Sequence, residues 1–87
     1  MSDKALLTFP CEFPVKVMGR HDSDLRAVTQ AIIERHAGPV ADSQVRVRSS
    51  TDGNFIALTY LVKAESREQL DAIYLELTAC KLVLMAL

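Results

Sequence analysis

Cysteine is scarce in this chain of 87 residues: Cys11 and Cys80 are the only two. A disulfide scaffold is thereby excluded, and neither residue belongs to a C-x-x-C pair or a Cys/His cluster at zinc spacing. No metal site and no cofactor is expected. An excess of one charge is also lacking, with ten basic against eleven acidic side chains and a net charge of −1. No global field therefore draws the chain to nucleic acid or to an anionic membrane. Apolar runs stay far below the ~20 residues that cross a bilayer; the longest, LVLMAL, is strand-sized. The opening MSDKALLTFPCEFP has no long apolar core and no small-residue cleavage site, so it does not read as a signal peptide. The expected location is the cytoplasm, with both thiols reduced.

What is present is the composition of an ordinary globule, 49% apolar and 24% charged. The length suits one small domain with a thin stability margin. Residues 1–11 read as an N-terminal arm, tacked down by Leu6, Leu7 and Phe9, and residues 12–87 as the domain.

From Phe13 the pattern has period two. Phe13, Val15 and Val17 share one face, and Pro14, Lys16 and Met18 the other. Proline cannot donate to a ladder, so pairing is expected to begin after Pro14. Gly19 closes the strand. A helix follows, capped by Asp22 or Ser23, with Leu25, Val28, Thr29 and Ile32 in one stripe, and it ends at Gly38-Pro39. The second strand, SQVRVRSS, points Val45 and Val47 inward and Gln44, Arg46 and Arg48 outward. Asp52-Gly53 marks a hairpin. In the third strand Ile56, Leu58, Tyr60 and Val62 face inward. SREQ at 66–69 is a capping box, opening a helix with Leu70, Ile73, Tyr74 and Leu77 in its stripe. KLVLMAL is the last strand.

The order β-α-β-β-α-β predicts an α+β, ferredoxin-like split βαβ fold. Its four-stranded antiparallel sheet carries both helices on one face, in the spatial order fourth, first, third, second strand. Such a sheet brings three loops to one edge: GRHDSD, SSTDGN and TACK. Arg20, His21, Asp22, Ser49, Ser50, Asp52, Asn54 and Lys81 then lie together near the first helix's N-terminus, a candidate site for a small carboxylate or phosphate. Polar residues also gather in loops because turns need them. Arg46 and Arg48 share a sheet face that could contact phosphates, and edge arginines also block edge-to-edge pairing. His36 suits the negative end of its helix.

The other sheet face reads as apolar. Met18, Phe55, Ala57, Thr59, Leu61, Leu82 and Leu84 point away from the helices, with Ala86 beside them. A patch of this kind marks an interaction surface. A homodimer or a partner-bound form is expected to bury it.

FPVKVMG, the helix ending ERHA, the hairpin SSTDGN and the closing EL…LVLMAL resemble the YbeD-like family of small bacterial proteins, over residues 9–87. The resemblance implies a ferredoxin-like sheet close to ACT regulatory domains, no established reaction, and a loose association with lipoyl metabolism. Leu61 and Leu84 depart from it, being large apolar groups where polar ones are expected.

Three functions compete. A non-enzymatic, ACT-like regulatory or interaction module, sensing a small anionic metabolite or docking on a metabolic enzyme, fits the absence of catalytic residues. An acylphosphatase-like hydrolase finds Arg20 and Asn54 in comparable places, but GRHDSD offers a single glycine to a phosphate loop. RNA binding needs aromatics on the first and third strands, and the open face holds Met18 and only Phe55.

Overall fold

The computed structural model describes residues 8–87. The expected roles of Leu6 and Leu7 lie outside them. Four strands and two helices follow in the expected order: β1 (Cys11–Arg20), α1 (Leu25–Ala37), β2 (Val45–Ser49), β3 (Phe55–Ala64), α2 (Arg67–Ala79) and β4 (Met85–Ala86). The sheet runs β2-β3-β1-β4 and every neighbouring pair is antiparallel. This is the ferredoxin-like α+β arrangement.

Alternation decides which side of the sheet is covered. Val15, Val17, Leu58, Tyr60 and Val62 are buried, and they pack with Leu25, Ile32 and Ile33 of α1 and Ile73 and Leu77 of α2. Ile33 joins the expected stripe of α1. Thr29 is fully buried there as well. Its hydroxyl lies 2.7 Å from the Leu25 carbonyl and 2.8 Å from the Tyr60 hydroxyl, which also reaches the Arg26 carbonyl at 3.3 Å. Burial pushes the Tyr60 phenol pKa up, and the pair keeps both polar groups satisfied inside the core.

Pairing starts earlier than expected, at Cys11 opposite Ala64. Lys16 exchanges both backbone bonds with Leu87 on the β4 side. By strand alternation Pro14 also faces that side, beyond the two residues that β4 pairs. Its missing N–H therefore costs no ladder bond.

The start of α1 differs too. Asp24, rather than Asp22 or Ser23, holds the N-cap position and makes no side-chain cap bond, and the Ser23 hydroxyl donates to the Arg20 carbonyl at 2.7 Å. In α2 the Ser66 hydroxyl accepts from Gln69 N–H, and Gln69 reaches back to the N–H of Glu65.

β4 is the largest departure. Residues 80–84 form a turn, closed by Val83 N–H on the Cys80 carbonyl. Ala86 opposes Val17 and packs against the core, so the expected facing of this strand is reversed. Leu82 also packs against the core rather than lining the open face. Val47 shares its side with the buried Leu58 but remains 51% exposed, because it sits at the sheet edge.

The helices are tied at one end by Glu76. Its carboxylate accepts from Arg35 at 2.8 Å and lies 2.9 Å from His36 Nε2. The His36 and Arg35 bonds hold the Glu76 pKa below its ordinary 4.5. A depressed carboxylate adds stability above its unfolded pKa and loses it as pH falls through the folded one. Glu76→Gln should therefore melt earlier than the wild type at pH 7, and the gap should close as pH drops below 4.5. Melting curves from pH 7 to 2 check this; a gap that persists in acid contradicts it.

Candidate functional site

The hairpin loop is built from its own polar residues. Asp52 accepts from the Ser50 hydroxyl at 2.7 Å and from Asn54 N–H at 3.0 Å. These bonds hold its carboxyl pKa below the ordinary value. Ser50 Oγ in turn accepts from Phe55 N–H. His21 N–H donates to the Asn54 carbonyl at 2.9 Å, which brings the end of β1 to the start of β3. Arg20 lies 3.6 Å from Asp22, both exposed. Lys81 is exposed in the turn after α2. The three loops thus meet at one edge, but the Ser50 hydroxyl, the Asp52 carboxylate and the Asn54 N–H are spent on the turn. None of Arg20, His21, Asp22, Asn54 or Lys81 lines the two depressions of the open sheet face.

Both depressions lie on the open side of the sheet. The larger, of about 740 Å3, is bordered by Pro14, Lys16, Gln44, Arg46, Arg48 and Leu61, with Ala57 and Thr59 among its lining residues. Register explains its shape. Arg46, Thr59 and Lys16 stand in one row across β2, β3 and β1, and Arg48, Ala57 and Met18 in the next. The middle strand contributes short side chains and the outer strands contribute long ones. Arg46 and Arg48 are about 7 Å apart along the strand, and Lys16 is two strands away, about 10 Å. Among the described residues none of these three cations has an ion-pair partner. The smaller depression adjoins it, lined by Met18, Arg48, Ser49, Ser50 and Phe55.

Of the residues expected on this face, Met18, Phe55, Ala57, Thr59 and Leu61 are on it, and Met85 takes the place of Leu82. Leu84 is 60% exposed, beside the short β4. Lys16 did not figure as a site residue in the sequence. Its signal was available: the strand order sets it two strands from Arg46, on the Pro14–Met18 face. Chemically, the arrangement can hold an anion over an apolar floor. Among the described residues no group of His, Cys, Asp and Glu is placed to bind a metal ion.

A family profile described as "Protein of unknown function (DUF493)" matches residues 4–87. This chain belongs to the DUF493 family. The YbeD-like resemblance is the same relationship. A UPF0250 protein of Chromobacterium violaceum is 47% identical over the full length of both chains. Another, from Paraburkholderia phymatum, is 39% identical over 98% of this chain and 96% of its own. A third, from Nitrosomonas europaea, is 34% identical over the whole of both. No solved structure matches the chain. The DUF493 relatives therefore share its extent and supply no activity. Among the described residues no helix is long and apolar enough to cross a membrane.

Proposed function

We propose that this DUF493 chain is a small, non-catalytic interaction module that takes an anionic metabolite on its open sheet face. The observation that carries this is the group of Lys16, Arg46 and Arg48 around Thr59 and Ala57, cations with no ion-pair partner among the described residues on a chain of net charge −1. Three positive charges within about 12 Å attract a carboxylate or phosphate, and the attraction is screened by salt. The loop cluster of Arg20, His21, Asp22, Ser49, Ser50, Asn54 and Lys81 stands as the neighbouring extension of the site, reached through Ser49 and Ser50. A homo-oligomer is the second reading. It is favoured by Leu84, Met85 and Leu87, which are exposed along β4 and away from the arginines.

A thermal-shift screen with amino acids, nucleotides and carboxylates tests the first reading. A ligand at one hundred times its Kd should add about 2.7 kcal/mol. Lys16→Ala with Arg46→Ala should abolish that shift and leave the unliganded melting temperature within a few degrees, since both side chains are exposed. An unchanged ligand shift in the double variant retires the face as the site. Turnover of an acyl phosphate, or salt-sensitive RNA binding, would favour the competing functions.

A further inference from the structure

The outer edge of β2 offers a surface of a different kind. Ser50 N–H donates to the Phe55 carbonyl across the hairpin. Antiparallel alternation then turns the backbone groups of Arg48 and Arg46 toward β3 and those of Val45, Val47 and Ser49 outward. The N–H of Val45 is taken by the Asp42 carbonyl. The N–H and C=O groups of Val47 and Ser49 meet no backbone partner among the described residues.

Side chains give this edge a pattern. Arg46 and Arg48 stand on the open side, and Val47 between them stands on the other, 51% exposed. The strand has no proline, and its register with β3 runs without a bulge. Two of the usual devices that spoil an edge are therefore missing, and the arginines are the remaining one. They repel a specific visitor. A second copy of β2 pairing antiparallel about Val47 sets Arg46 opposite Arg48 twice, and a slip of one residue pair either way sets an arginine opposite itself. Like charges directly opposite are destabilising. Carboxylates at the same positions are attracted instead.

We propose that the outer edge of β2 accepts, as a fifth strand, an extended segment of another protein with an acidic–apolar–acidic alternation. The carboxylates lie across from Arg46 and Arg48, and the apolar residue covers Val47. Backbone bonds to Val47 and Ser49 supply the pairing, as in other cases of strand addition. The inference shares its two arginines with the reading above. It adds the backbone edge and Val47, which a small anion on the face does not need.

The test uses three synthetic nine-residue peptides: one alternating Glu and Val, one of the same composition with the Glu and Val in separate blocks, and one alternating Lys and Val. Binding and amide hydrogen exchange are followed by NMR on the full chain. The alternating Glu–Val peptide should slow exchange at Val47 and Ser49 and bind about tenfold tighter than the block peptide. Arg46→Glu with Arg48→Glu should transfer the preference to the Lys–Val peptide. Equal binding of the alternating and block peptides overturns the proposal. Slow exchange at Val47 and Ser49 in the free chain overturns it as well, because the edge is then already held. Release on dilution would assign the edge to a second copy, and release on deleting residues 2–7 would assign it to the chain's own N-terminus. If inorganic phosphate moves the Lys16 amide while no peptide protects the edge, the edge inference fails and the open-face reading stands.

Discussion

Val17→Asp is expected to leave the chain without a cooperative thermal transition. Val17 is fully buried in the central strand β1, between Leu58 of β3 and Ala86 of β4. The cluster around it is apolar apart from the Tyr60 hydroxyl, which is already bonded to Thr29. A carboxylate there meets no cation, and burying it unpaired costs several kcal/mol. A domain of this size has about 4 to 13 kcal/mol to lose. Lys16→Asp makes the matching control, because its neighbour Lys16 is exposed. That variant should melt cooperatively. Far-UV circular dichroism with temperature reads both, and a cooperative melt of Val17→Asp near the wild-type temperature would remove Val17 from the core.

Gly19→Ala is the second large effect. A Cβ at this position would lie 2.5 Å from the Leu82 carbonyl oxygen and 2.9 Å from a Leu25 methyl. The first of these is backbone, so the turn that carries Leu82 must move. That turn leads directly to the Leu84 N–H bond on the Met18 carbonyl, 2.8 Å, which helps hold the C-terminal segment to the sheet. Overpacking of this kind costs about 1 to 3 kcal/mol. In a domain of this length each kcal/mol shifts the melting temperature by about 4 to 8 °C. Gly19→Val should cost more still. Gly53 supplies the contrast: its φ is +77°, yet nothing lies within 4 Å of a Cβ there. Gly53→Ala therefore meets only the left-handed backbone penalty, about 1 to 2 kcal/mol. A Gly19→Val variant that melts at the wild-type temperature would show that the close approach at Gly19 carries no energy.

The sequence was most readable where polar residues punctuate apolar ones. In β1 and β3 strict alternation assigned Val15, Val17, Leu58 and Tyr60 to the core side, where they lie. Ser66 and Gln69 marked the start of α2 through a capping pattern that the structure contains. KLVLMAL failed for the opposite reason. Six of its seven residues are apolar, so no alternation fixes its facing, and the turn at 80–84 reverses Leu82 and Ala86. Pro14 misled because a proline's effect depends on which neighbour its nitrogen faces, and that follows from the β4 register alone. At the candidate site, loop polarity drew attention to Ser50, Asp52 and Asn54, whose groups close the hairpin. Lys16 was less visible because its companions Arg46 and Arg48 are far along the chain and meet it only across the sheet.

The open sheet face as an anion site is tested most directly by an amide-resolved NMR titration of the full chain with inorganic phosphate and with citrate, at low and at physiological salt. Saturable shifts centred on Lys16, Arg46, Arg48, Ala57 and Thr59, weakened by salt, are the predicted result. Shifts confined to residues 20–22 and 50–54, or no saturable shift with either anion, would contradict it.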